Sequence, residues 1–197
     1  MDMSVKQNGT TDAGRQASAR SKTAQLTLIG VMAAVTCVLG PLSIPLPFSP
    51  VPISLTNLAI YFALYVLGMK WATVSYLIYL LIGFIGMPVF SAFTSGPAKL
   101  FGPTGGYLIG FIFMALIAGA FIDRFEQKKA LCFIGMVLGT AVCYAFGTAW
   151  LAYQAHMGFG AALGAGVIPF LPGDLAKIVL AMLAGPEIRK RVRRAGM

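Results

Sequence analysis

Six long apolar runs, separated by short polar connections, constrain this chain more than any other feature. A helix needs about 20 residues to cross the hydrocarbon core of a bilayer, because each residue adds about 1.5 Å. Charged residues make up only 11% of the chain, against about 25% in an ordinary soluble domain. The sequence therefore predicts an all-α integral membrane protein with six transmembrane helices. The predicted spans are residues 24–42, 55–69, 71–89, 105–122, 131–153 and 160–184.

The basic residues predict the orientation of these spans. Thirteen of the 15 Lys and Arg residues fall on one side, in residues 6–22, 70, 124–129 and 189–194. Cytoplasmic segments carry such an excess, so both termini are predicted to be cytoplasmic, as an even number of spans requires. Topology and contact with anionic lipid then explain the net charge of +9, and no nucleic-acid partner is expected.

The ends of the chain differ in composition from the membrane part. Residues 1–22 are polar and lack apolar periodicity, which favours a disordered cytoplasmic tail. Residues 23–186 are predicted to form one six-helix membrane domain, followed by a basic cytoplasmic tail over 187–197. Within the domain, residues 41–52 contain five prolines, which exclude a regular helix there. The connection is uncharged, so it is expected to lie on protein or at the membrane interface, and a role as a lid over a ligand entrance is one interpretation.

The last predicted span combines a break with two charges. Pro169, Pro172 and Gly173 interrupt its helical pattern, and Asp174 and Lys177 follow. Charges inside a span are costly and mark a functional site by default, and residues three apart share a helix face. Irregular backbone at that depth lines a cavity or is buried in protein. The pair therefore binds a polar ligand, or it is local, with Asp174 capping the last half-helix and Lys177 as its partner. The two interpretations are compatible.

Patterns for catalysis and metal binding are missing from the sequence. It has no Gly-x-x-x-x-Gly-Lys-Ser/Thr nucleotide loop and no His-Glu-x-x-His motif. Its three cysteines lie in predicted spans without metal-ligand spacing. Asp174 is the only acid well inside a predicted span, so an intramembrane protease with two aspartates is excluded. We therefore predict no catalytic residue, no metal and no enzyme, which leaves binding and transport.

Three further groups of residues have two interpretations each. Gly105, Gly106 and Tyr107 open the fourth span, where free N–H groups favour a ligand carbonyl or anion, although glycines also permit close helix packing. Asn57, at the start of the second span, bonds another helix or a ligand. Gly30 and Ala34 form a pair of small residues that packs within this protein or docks a partner subunit.

Four motifs together resemble the BioY family, the biotin-specific S components of energy-coupling factor (ECF) transporters. They are Pro50-Val-Pro-Ile-Ser-Leu55, Ile85-Gly-Met-Pro-Val-Phe90, Phe101-Gly-Pro-Thr-Gly-Gly-Tyr-Leu-Ile-Gly-Phe111 and Pro172-Gly-Asp-Leu-Ala-Lys177. The third and fourth are the most specific. The resemblance covers about residues 24–185 and includes the order of the motifs and the six spans.

This resemblance implies high-affinity biotin capture in the cytoplasmic membrane of a bacterium, without a cofactor. Asp174 would accept a ureido N–H of biotin, and Lys177 would either keep Asp174 ionised or bond the ureido oxygen. Thr94 or Ser95 would add a hydrogen bond from the outer loop, and residues 105–107 would help to line the pocket.

The resemblance also implies partners. A separate transmembrane coupling subunit with two ATPases would drive release inside the cell, and the face around Gly30 and Ala34 resembles the family's docking surface. The alternative is a stand-alone or proton-coupled carrier, or a membrane enzyme, that uses Asp174 as a titrating acid.

Overall fold

A computed structural model describes residues 4–47 and 49–194, with side chains from residue 22 onward. Seven α-helices, one short 3-10 turn and one two-stranded sheet make up these two ranges. The helices are α1 (Ser4–Leu39), α2 (Thr56–Ile85), α3 (Pro97–Leu100), α4 (Gly105–Arg124), α5 (Lys129–Gln154), α6 (Phe159–Gly166) and α7 (Leu171–Arg194).

The proline-rich connection after α1 forms a hairpin. Its strands, β1 (Ser43–Leu46) and β2 (Ser49–Ser54), run antiparallel, with Ser43 opposite Ser54. Proline lacks the N–H that an inner strand needs, but both strands of a two-stranded sheet are edges, where it is tolerated. The prolines thus exclude helix as predicted, while the all-α prediction is corrected by this small sheet.

Glycine interrupts α2 near its middle. Gly68 has φ 75° and ψ 173°, outside the helical region, a conformation that glycine adopts without a steric penalty. The Thr56 side chain nevertheless lies within interaction range of the Tyr79 hydroxyl. In a straight helix, residues 23 positions apart would be separated by about 35 Å. The chain therefore reverses at Gly68, and segments 56–67 and 69–85 correspond to the second and third predicted spans.

Several helices are suited to crossing a membrane. In the described part of the chain, four are long and apolar enough, or five if the bent pair α6–α7 is one span. This count takes α2 as a single helix. A multi-pass helical architecture is therefore confirmed, whereas the count of six and the orientation of the termini stay predictions.

The break in the last span is confirmed but lies earlier than predicted. Helices α6 and α7 are bent by 49°, and Pro169 lies between them. Pro172 and Gly173, which were expected in the break, instead lie in the first turn of α7, where a missing N–H costs little. Helix α7 also continues through Pro186 to Arg194, beyond the predicted end at residue 184.

The first helix differs from the prediction at its start. Its backbone is helical from Ser4, where the sequence favours a disordered tail over residues 1–22, and residues 1–3 lie outside the described part. The division into a tail, a membrane domain over 23–186 and a second tail stays a prediction.

A polar cluster joins the reversal in α2 to the ends of α4 and α7. The Met69 backbone N–H donates to Asp123 Oδ2 at 2.7 Å. Arg189 reaches Asp123 Oδ1 at 3.5 Å through Nη2 and Glu126 Oε1 at 3.1 Å through Nε. One carboxylate therefore holds the start of segment 69–85 and the end of α7 together.

We expect Asp123→Ala to lower the free energy of unfolding by about 1 kcal/mol, because Met69 loses the acceptor of its N–H. The Asp123 side chain is 38% exposed, so solvent screening reduces the ion-pair contribution. Thermal unfolding of the purified protein in detergent measures the effect. The control, Glu187→Ala, removes one exposed bridge to Lys190 and should change the transition little. Equal shifts for both variants would contradict this role for Asp123.

Candidate ligand-binding site

A partly open chamber lies among β2, α4, α5, the start of α2 and the start of α7. It encloses about 650 Å³, including the part open to solvent. Tyr107, Leu108, Phe111 and Phe170 form much of its apolar wall. The polar groups concentrate where α7 faces β2 and α2.

The predicted Asp174–Lys177 pair lies in this chamber. Lys177 Nζ is 2.9 Å from Asp174 Oδ1, and each side chain is only 11% exposed. Both side chains line the chamber from the start of α7, as their spacing of three residues predicts. The pair is therefore largely buried among the described residues and lines the chamber wall.

The Lys177 ammonium has three hydrogen-bond acceptors from three different elements. These are the Ser54 carbonyl oxygen of β2 at 2.6 Å, Asn57 Oδ1 of α2 at 3.1 Å and Asp174 Oδ1 of α7 at 2.9 Å. An ammonium has three donors, so this arrangement uses all of them. Lys177 thus ties α7 to the hairpin and to α2.

The Asp174 carboxylate has one strong partner on each oxygen. Oδ1 accepts from Lys177, and Oδ2 accepts from the Tyr144 hydroxyl at 2.5 Å. A carboxylate offers about four acceptor positions, so two remain for a ligand. The backbone N–H of Asp174 donates to the Phe170 carbonyl at 2.8 Å, which places Asp174 within the first turn of α7. The acid therefore does not occupy the capping position that the local interpretation assigned to it.

Asn57 supplies a free donor at the same place. Its Oδ1 accepts from Lys177 and from the Leu58 N–H, while its Nδ2 has no acceptor among the described residues. Asn57 as a whole is only 3% exposed and lines the chamber. Its Nδ2 atom nevertheless keeps some accessible surface. The interpretation that Asn57 bonds another helix is therefore confirmed by its contact with Lys177 of α7, and ligand contact by Asn57 stays a prediction.

The other predicted pocket residues divide into two groups. Tyr107 lines the chamber, and its hydroxyl donates to the Gly166 carbonyl at 3.0 Å. Gly105 and Gly106 do not line it. A Cβ on Gly106 would lie 3.2 Å from the Gly147 Cα, so this glycine allows α4 and α5 to pack closely.

The loop between α2 and α4 contributes different residues to the chamber from those predicted. Thr94 and Ser95 are not brought to the chamber wall, and the Thr94 hydroxyl donates to the Ser91 carbonyl at 2.8 Å. Ser91 and Thr104 line the wall in their place. Any contact of Thr94 or Ser95 with a bound ligand stays a prediction.

Tyr144 is a site residue that sequence reasoning missed. It lies on α5, one turn after Thr140, and both side chains line the chamber. Two polar groups four residues apart in an apolar span share one face. That spacing is the signal that identifies Tyr144 before the structure is known.

The small-residue face of α1 is uncovered. Gly30 and Ala34 are exposed, as are Leu26 at 68% and Val38 at 67%, one turn before and after them. A Cβ added at Gly30 would meet no atom within 4 Å. Packing of this face within the described chain is therefore excluded.

A multi-pass helical fold that encloses a charged pair in a chamber defines a ligand-binding membrane protein. The model of the BioY family matches residues 11–194, nearly the whole chain. This chain belongs to the BioY family.

Known relatives match over most of their length. The chain is 37% identical over 165 residues to biotin transporter BioY2 of Lactococcus lactis, covering 84% of this chain and 90% of the relative. It is 36% identical over 166 residues to biotin transporter BioY of Thermotoga maritima, covering 84% and 96%. A crystal structure of the S-component for biotin from an ECF-type ABC transporter superposes with a TM-score of 0.81 at 32% identity, covering 87% of this chain and 93% of that one.

Proposed function

We propose that this chain captures biotin at high affinity and serves as the substrate-binding S component of an ECF transporter. The observation that carries the proposal is the largely buried Asp174–Lys177 pair, whose two side chains line the wall of a chamber. Relatives named biotin transporters and the biotin S-component structure support the choice of ligand. Because these relatives are transporters, the chain is assigned as a transport subunit and not as an enzyme.

The polar end of biotin matches the groups left free at the site. Its ureido ring has two N–H donors and one carbonyl acceptor. Asp174 has acceptor positions for an N–H, and Asn57 Nδ2 is a donor for the carbonyl. Lys177 already donates to three protein atoms, so it acts by stabilising the charge of Asp174 and not by bonding the ureido oxygen. The proposal therefore gives Lys177 the first of the two roles that the sequence left open, that of keeping Asp174 ionised.

The apolar wall matches the rest of the ligand. Nanomolar affinity corresponds to about 12 kcal/mol, and hydrogen bonds to charged groups supply about 1.5–3 kcal/mol each. Burial of the bicyclic ring and the alkyl tail against Tyr107, Phe111 and Phe170 supplies the remainder, at about 25 cal/mol per Å² of apolar surface. The tail carboxylate then points toward the open end of the chamber.

The proposed topology has six spans in the cytoplasmic membrane of a bacterium, with both termini inside. Segments 56–67 and 69–85 count as two spans because the chain reverses at Gly68. The Asp123–Arg189 cluster then lies at the inner surface, next to most of the basic residues, in agreement with the charge rule.

The energy for release comes from other proteins in this proposal. The sequence has no nucleotide-binding loop, so a transmembrane coupling subunit and two ATPases are the proposed partners. The exposed face around Gly30 and Ala34 is the proposed docking surface. A stand-alone or proton-coupled carrier is the second candidate, since Asp174 is an acid within a span.

We expect the purified protein in detergent to bind one labelled biotin per chain with nanomolar affinity, and native mass spectrometry to detect biotin after gentle purification. Competition between biotin and one of its biosynthetic precursors tests which of the two compounds the protein binds more tightly. Absence of saturable binding would refute biotin capture. Accumulation of biotin in vesicles that contain this chain alone and a proton gradient would favour the second candidate.

A further inference from the structure

A second cavity lies behind the binding chamber, between α5 and α7. It encloses about 350 Å³, including the part open to the surroundings. Its wall is almost wholly apolar, formed by Val137, Ala141, Leu171, Leu175 and Ile178. Thr140, Tyr144 and Asp174 line both this crevice and the chamber. These three side chains are therefore the partition between the two spaces.

Two of the three residues of the partition, Thr140 and Asp174, are held by a tyrosine hydroxyl. Thr140 Oγ1 lies 2.6 Å from the Tyr61 hydroxyl and donates to the Met136 carbonyl at 2.7 Å. Asp174 Oδ2 accepts from the Tyr144 hydroxyl at 2.5 Å. Without that hydroxyl, Oδ2 would face the apolar crevice without a donor, and an unpaired buried charge is costly.

We propose that Tyr144 is a positioning residue that holds the Asp174 carboxylate in the orientation that accepts a ligand N–H. Lys177 fixes one carboxylate oxygen and Tyr144 fixes the other, so rotation of the carboxylate is restricted before the ligand arrives. Such preorganisation raises affinity because the cost of ordering is already met. This inference rests on the proposed function, with biotin as the ligand. It adds Tyr144 as the residue that makes the site prefer ligands with an N–H donor.

The first test is a double-mutant cycle on biotin affinity. Tyr144→Phe should weaken binding about tenfold in the otherwise natural protein, the size of one lost charge-assisted hydrogen bond. In the Asp174→Asn background the same change should alter affinity less than twofold, because Tyr144 acts through Asp174. Equal effects in the two backgrounds would overturn the proposal.

The matched control is Tyr61→Phe. It removes a buried hydroxyl that pairs with Thr140 but leaves both partners of Asp174 in place. Affinity within about twofold of the natural protein is expected. A tenfold loss here as well would mean that any hydroxyl removed from this region disturbs the site, which overturns a special role for Tyr144.

The second test separates positioning from a general structural effect. It compares biotin with its cyclic carbonate analogue, in which oxygens of similar size replace both N–H groups. Tyr144→Phe should reduce the preference for biotin about tenfold, because only biotin uses the Asp174 hydrogen bond. Equal weakening for both ligands would overturn the proposal. Both affinities come from one preparation, so their ratio is independent of the folded fraction. If the natural protein binds no biotin, the proposed function fails instead.

Discussion

Asp174→Asn is expected to weaken biotin binding about 10- to 100-fold, which corresponds to the loss of a charge-assisted hydrogen bond in a buried site. Asparagine keeps the size of the side chain but replaces one carboxylate oxygen with a donor group. Lys177 keeps its acceptors on Ser54 and Asn57, so the site remains assembled and the change reports on the ligand contact. Equilibrium binding of labelled biotin to the purified protein in detergent measures the effect.

Asp123→Asn is the matched control for this experiment. Asp123 is also an ion-paired acid at a helix junction, but it does not line the chamber. Its variant should bind biotin within twofold of the natural protein. An Asp174→Asn variant that also stays within about twofold would show that the carboxylate does not contact the ligand.

Ala34→Trp is expected to abolish biotin uptake in cells while binding by the purified protein is retained. The indole would stand on the exposed face of α1, where small residues otherwise let a partner helix approach closely. Because this face packs against nothing in the described chain, the substitution should not disturb the chamber. Accumulation of labelled biotin in cells that also produce the coupling subunit and ATPases measures the effect.

The control places the same bulk on another exposed position. Ile134→Trp on α5, at a residue that is 46% exposed, should leave both uptake and binding unchanged. Loss of binding together with uptake in the Ala34→Trp variant would indicate a folding role for the α1 face. Normal uptake would mean that partners dock elsewhere.

Sequence patterns predicted the features that depend on residues close together in the chain, such as the length of a helix and which residues share its face. Helices α4 and α5 lie within a few residues of the predicted spans, because apolar length is set by the thickness of the bilayer. The Asp174–Lys177 pair was predicted to share a face, since that depends only on helix geometry. The location of the pair inside the protein could also be predicted, because charged residues within a span are rare and avoid lipid.

Contacts between distant parts of the chain could not be predicted in this way. The Lys177–Ser54 hydrogen bond joins residues 123 positions apart, and no periodicity indicates which carbonyl an ammonium will reach. Tyr144 was missed because an aromatic residue in an apolar span is ordinarily packing. Helix α7 runs to Arg194, beyond the span predicted to end at residue 184, because hydrophobicity indicates where a helix leaves the membrane and not where the helix itself ends.

Because the Lys177 ammonium is hydrogen-bonded to three elements, the stability of the β1–β2 hairpin depends on the position of α7, the helix that carries Asp174. If β2 moves away from α7, the buried Lys177 ammonium loses its hydrogen bond to the Ser54 carbonyl oxygen. A buried donor without an acceptor is unfavourable in free energy. A ligand whose binding strengthens the α7 arrangement must therefore also stabilise the hairpin in place, since coupling between two sites is reciprocal. Occupancy of the chamber and the position of the hairpin are thus coupled through a single amine.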